Sequence, residues 1–238
     1  MIMIIGLYAA AGLLIGTLIN WAVDFLPRFS TTRAITARLP SPHWTFATWQ
    51  LLTSAAKRTA SSAVRAGVVI ELSTALLGIY VGARYGLTWD SLLLVAVGVF
   101  LILIAAIDLK FRLVLNAVIY PAILITLMLQ IASPGKNLLA VFVGAAFGFI
   151  IFAAVAWLRP GELGGGDVKL ATWIGLFFGF PDVLWALIIG VTSGGLAVAV
   201  LLLSRRWNLK SQIPYAPFLC LGALIALFYN PLTSIFHF

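Results

Sequence analysis

Apolar residues run along this chain in blocks of about twenty, and polar residues collect in the short gaps between them. The blocks fall at 1–27, 67–84, 91–107, 113–131, 138–158, 170–180, 183–203 and 213–230. Uninterrupted apolar runs of this length are membrane helices rather than strands. The pattern therefore predicts an all-α fold, a polytopic membrane bundle of about eight transmembrane helices. The block at 170–180 is too short to cross a layer of roughly 30 Å as a straight helix. It reads as broken, or as continuing beyond Pro181. The first block has no basic residue before it and no small-residue cleavage site after it, so it reads as a retained helix.

Composition agrees with the pattern. Of 238 residues, 63% are hydrophobic and 9% charged, against about 25% charged in soluble domains; mean hydropathy is +1.11. A net charge of +8 raises the question of nucleic acid, but the basic residues are scattered through the gaps and form no groove. With the N-terminus outside, 13 of the 15 basic residues fall in inner loops, and only Arg84 and Lys136 face out. That bias is membrane topology. The sizeable polar segment, 27–66, reads as an inner-surface loop with an amphipathic helix on anionic lipid. Cys220, the single cysteine, lies within an apolar run and reads as packing.

The chain has seven acids. Asp90 and Asp182 fall in outer loops, where solvation explains them. Asp108 closes the run "SLLLVAVGVFLILIAAID", and Asp167 opens the short block; both fall at the inner boundary. Carboxylates at the edge of membrane helices are functional candidates by default. Two that share a low-dielectric site cannot both ionise cheaply, so one tends to hold a proton. The ionised one can activate a water, and the protonated one can serve a carbonyl and a leaving amine. "GGGD", residues 164–167, places three residues without Cβ before the second acid. That leaves room for an extended substrate and permits unusual dihedrals that aim Asp167 inward. Helix capping and helix packing are the competing explanations.

These residues carry a resemblance. "GELGGGDVKL" is similar to the G-x-x-G-x-G-D-x-K-L signature of the type IV prepilin peptidases, membrane aspartic proteases of the GxGD class, and matches it at Gly161, Gly164, Gly166, Asp167, Lys169 and Leu170. "IDLKFRLVLN" resembles the first aspartate motif of the family, with Leu115 where proline is usual and Asn116 after it. "GVVIELSTALLG", "IPYAPFLCLGAL" and "GLLIGTLINWAVDFLP" resemble further family segments in the expected order.

The resemblance implies an endopeptidase in the bacterial inner (plasma) membrane. It would cleave the leader of type IV pilin-like or type II secretion pseudopilin precursors at the cytoplasmic face, without a metal. Asp108 and Asp167 inherit the catalytic roles, and Gly164, Gly166 and Lys169 the substrate-positioning roles. Many members also methylate the product with S-adenosylmethionine, and Glu71 is a candidate remnant of that activity. Residues 1–84 then form a methyltransferase-type N-terminal region with the basic loop, and 85–238 the GxGD peptidase core. The departure is in the loop: two Cys-x-x-Cys pairs of the family are missing, and His43 alone cannot replace such a ligand set. This argues against a zinc-stabilised loop and against methyl transfer. Glu71 also reads as a buried acid bonded to a neighbouring helix. A GxGD peptidase with a preflagellin-like substrate and a membrane transporter or assembly protein are the rival readings. A transporter would favour acids at the bilayer midplane.

Overall fold

The computed structural model describes residues 2–29, 62–160, 163–203 and 214–229. Eight α-helices occupy them: α1 (Ile2–Phe25), α2 (Ser62–Tyr85), α3 (Trp89–Phe111), α4 (Asn116–Ala132), α5 (Leu138–Leu158), α6 (Gly165–Phe178), α7 (Val183–Leu203) and α8 (Ala216–Tyr229). A 3-10 turn, Leu26–Phe29, follows α1, and there is no strand among the described residues. The fold of the described residues is thus all-helical. Five helices, α1, α2, α3, α5 and α7, are long and apolar enough to cross a membrane. Most of the segment 27–66, with its expected surface helix and His43, lies outside the described residues.

Contacts divide the chain into two compact units, Met1–Ala106 and Ile107–Phe238. In the first, α1 lies against α2 through small residues. A Cβ on Gly12 would lie 2.5 Å from the Thr74 carbonyl oxygen, and one on Gly16 would lie 2.6 Å from the Glu71 Cα. Gly78 returns the fit, since its Cβ would lie 2.5 Å from the Tyr8 carbonyl oxygen. Glycines four apart let two backbones touch where apolar lipid gives no hydrophobic drive to pairing. The Tyr8 hydroxyl shares a hydrogen bond of 2.7 Å with the Ser91 hydroxyl. It also reaches the carbonyl of Gly86 at 3.2 Å, in a turn where Gly86 has φ +65°.

In the second unit α6 is the central helix, in contact with α4, α5, α7 and α8. Nine of its 14 residues are buried. At 1.5 Å per residue it is about 21 Å long, well short of a bilayer core. A short helix is tolerated because protein, not lipid, surrounds its ends. Its seam with α5 is again glycine-built. A Cβ on Gly144 would lie 2.5 Å from the Gly175 carbonyl oxygen, and one on Gly148 would run into the Ala171 carbonyl. Its seam with α4 is polar: Trp173 Nε1 donates to Thr126 Oγ1 at 2.9 Å. Gln130 Nε2 donates to the carbonyls of Leu176 at 3.2 Å and Phe177 at 2.8 Å. Those are last-turn carbonyls that have no partner within their own helix.

Three expectations change. The helix carrying Asp108 runs on to Phe111, so the acid sits in its last turn rather than after its end. The short helix begins at Gly165 and stops at Phe178, before Pro181. Asp182, expected to be solvated, is buried at 7% exposure.

Candidate active site

Asp108 is held at the C-terminal end of α3, with only 4% of its surface exposed. The helix ends at once: Arg112 adopts a left-handed φ of 55°, and its N–H donates to the Asp108 carbonyl at 2.8 Å. Such a residue is the usual helix stop, and for a side chain other than glycine it costs roughly 1–2 kcal/mol. The Arg112 charge acts on the Asp108 carboxylate, which also accepts a hydrogen bond from the backbone N–H of Ala216. Ala216 opens α8, so the aspartate satisfies a donor that the helix itself leaves unpaired. Asp108 Oδ2 is buried without a hydrogen-bond partner among the described residues.

Asp167 stands three residues after the N-cap Gly164 of α6. Its Oδ2 accepts the Gly164 N–H at 3.2 Å, and its own N–H donates to the Gly164 carbonyl at 3.1 Å. This is the carboxylate half of a capping box; Gly164 has no side chain to supply the other half. The bonds fix the carboxylate over the first turn, where a helix favours negative charge. Burial, and then the negative charge of Asp108, push the Asp167 carboxyl up to about 6, against the lowering effect of the Gly164 N–H. The two acids from α3 and α6 are therefore near enough for the charge of Asp108 to act on Asp167, in surroundings where charge is poorly screened.

Tyr215 is near enough to Asp167 to feel its charge. Burial, and then the charge of Asp167, raise its phenol. Its ring lies 6.1 Å from that of Phe152 and 6.5 Å from that of Phe218. Tyr215, within "IPYAPFL", was not among the expected site residues. A backbone N–H such as that of Ala216 has no side-chain signature to read.

The glycines behave differently from expectation. Among the described residues, the glycines with positive φ are Gly86, Gly135 and Gly179, so 164–166 use no left-handed dihedral. Gly165 and Gly166 instead make the first turn of α6. The room at Gly166 is already filled: a Cβ there would lie 2.7 Å from the Val114 Cβ, in the link between α3 and α4. Gly165 has nothing within 4 Å. Gly166 thus serves close packing of the two aspartate-bearing segments, not an empty approach.

Lys169 points to the start of α4. Its Nζ donates to Asn116 Oδ1 at 2.7 Å and lies 4.8 Å from the centroid of the Tyr120 ring. Glu71, in the first unit, is fully buried. Its Oε1 accepts from Asn20 Nδ2 of α1 at 3.1 Å, and Asn20 also donates to the Gly67 carbonyl at 3.1 Å. Glu71 thus is a buried acid bonded to a neighbouring helix. Among the described residues no three of His, Cys, Asp and Glu converge as a metal site.

Residues 95–200 match the type IV leader peptidase family. The prepilin leader peptidase/N-methyltransferase of Bacillus subtilis (strain 168) is 31% identical over 160 residues, covering 67% of this chain and 64% of the relative. The protein of that name from Pseudomonas aeruginosa is 27% identical over 170 residues, 68% of this chain and 58% of its own length. The one from Xanthomonas campestris pv. campestris is 25% identical over 171 residues, with the same coverage of 68% and 58%. The chain thus spans less than two thirds of these relatives. No solved structure matches it.

Proposed function

We propose that this chain, with its type IV leader peptidase segment at 95–200, is a membrane aspartic endopeptidase that removes the N-terminal leader of pilin-like or pseudopilin precursors. The observation that carries the reading is the pair Asp108 and Asp167, both buried, with the charge of one acting on the other. Such a pair holds one proton between its members. The ionised carboxylate takes a proton from a water, whose oxygen attacks the scissile carbonyl carbon. The protonated carboxyl donates to the carbonyl oxygen as the tetrahedral species forms. The C–N bond then breaks as the leaving amine is protonated, and water has been added across the peptide bond. No metal and no cofactor takes part in these steps.

The bias of basic residues toward one set of loops supports a cytoplasmic position for the Asp108 and Asp167 end in a bacterial inner membrane. Gly164 fixes the Asp167 carboxylate, and Gly166 and Lys169 position its helix. Methyl transfer from S-adenosylmethionine is weak or absent, because the loop lacks the family's cysteine pairs.

The test is co-expression with a pseudopilin-type precursor and mass spectrometry of its N-terminus. Asp108→Asn and Asp167→Asn should each abolish cleavage at unchanged membrane yield, because an amide keeps the shape but neither accepts nor donates the proton. Comparable processing by either variant removes the pair from the mechanism. A product heavier by one methyl group overturns the methylation reading.

A further inference from the structure

The side chains around Lys169 suggest how the two acids are kept together. Asp108 belongs to the end of α3 and Asp167 to the start of α6, and the link 112–115 leads from α3 into α4. Asn116 is the first residue of α4, directly after that link, and Tyr120 lies one helical turn further on. Lys169 lies two residues after Asp167. Its ammonium is held between the Asn116 carbonyl oxygen at 2.7 Å and the Tyr120 ring at 4.8 Å. A charge-assisted hydrogen bond and a cation over an aromatic face hold a lysine whose stem is otherwise flexible. Val114 packing into the space above Gly166 sets the same pair of segments at a second point.

We propose that Asn116 and Tyr120 are positioning residues that act through Lys169, a latch tying the start of α4 to the first turns of α6 and so setting Asp167 against Asp108. This rests on the peptidase reading above, and it gives Lys169 a task within the protein rather than a contact with substrate.

The test combines kinetics with a signal that does not need turnover. With a purified pseudopilin precursor, Asn116→Leu and Lys169→Met should lower kcat by about 10- to 100-fold, the scale of a small misplacement of reacting groups. KM should stay within about threefold, because no substrate contact is removed. Asn116→Asp keeps an acceptor and should retain cleavage; Tyr120→Phe keeps the ring and should do the same, whereas Tyr120→Leu should not. The double variant Asn116→Leu/Lys169→Met should be no slower than the slower single variant, since both break one latch.

In infrared pH titration, the carboxyl band that disappears in Asp167→Asn should titrate at lower pH in Tyr120→Leu, which keeps the Lys169 charge, as Asp167 moves away from the charge of Asp108. Should Asn116→Leu fail to reach the membrane, Lys169→Met and Tyr120→Leu carry the same test. A Lys169→Met enzyme with unchanged kcat, losses that multiply, or a defect confined to KM would each overturn the latch. A wild-type chain that cleaves no precursor, yet shows the infrared shift, would sink the peptidase reading and leave the latch standing.

Discussion

Single residues decide the chemistry, and the two glycines before Asp167 separate space from conformation. Gly166 lies where a Cβ would meet Val114 at 2.7 Å, whereas Gly165 has nothing within 4 Å. Gly166→Val should therefore cut precursor processing by at least about 100-fold, the cost of shifting reacting groups by around 1 Å. Gly165→Ala should leave processing near wild type. Equal processing by Gly166→Val and wild type would show that the link carrying Val114 moves aside without disturbing Asp108.

The proposal of a proton shared by Asp108 and Asp167 gives a second test at this scale. The Asp167 carboxyl lies at about 6 rather than the usual 3.8. A raised acid keeps its proton as pH rises through the ordinary carboxylate range and loses it only near the raised value. The free-enzyme profile of kcat/KM should fall at low pH, where no base remains. It should also fall on the alkaline side from about 6, where no acid remains. A profile flat from about pH 5 to 9 contradicts the pair as acid and base.

At the scale of elements, α6 is the piece that the others exist to hold. Its seam with α5 brings backbone onto backbone at Gly144, Gly148, Ala171 and Gly175. Gly148→Leu should force the two helices apart and destabilise the fold by at least about 2 kcal/mol, as overpacking does. The readout is thermal unfolding in detergent beside membrane yield. Gly195, on α7, has nothing within 4 Å, so Gly195→Ala is the matched control and should be neutral or slightly stabilising. A Gly148→Leu protein as stable as the control would mean that the seam opens without cost. The polar α4 seam, with Gln130 on the last carbonyls of α6, explains why this helix can stop at Phe178. The last-turn carbonyls of Leu176 and Phe177 are satisfied by a protein side chain.

For the whole molecule, the loop charges predict an orientation and the paired acids a cofactor-independent cleavage. Single cysteines at Arg159 and Lys136 should label on opposite sides of the membrane with an impermeant maleimide, Arg159→Cys from the cytoplasmic side only. Labelling of both from one side would invalidate the topology read from the loop charges. Glu71→Gln should leave precursor cleavage largely intact, because Glu71 accepts its hydrogen bond from Asn20 within the first unit. EDTA should not inhibit cleavage, and inhibition reversed by zinc would refute the metal-free mechanism.

Much of this was legible in the order of residues. Apolar block length sets helix length, so the eight helices among the described residues, with Asp108 and Asp167 at helix ends, followed from the pattern. The exceptions share one cause. Gly165 and Gly166 read as room for a substrate and as unusual dihedrals, yet both are helical, and at Gly166 Val114 leaves no space for a side chain. Asp182 read as a solvated loop acid, yet tertiary packing buries it. The Ala216 N–H on Asp108 and the hold of Asn116 and Tyr120 on Lys169 were beyond reach, because they join residues 108 and 53 positions apart, respectively, for the first two pairs. Sequence alone determined which segments are apolar helices and where Asp108 and Asp167 fall along them, because local hydropathy pays no attention to distant neighbours. Only the tertiary structure decided what each acid faces, because charge, burial and close backbone approach depend on helices that meet in space and not along the chain.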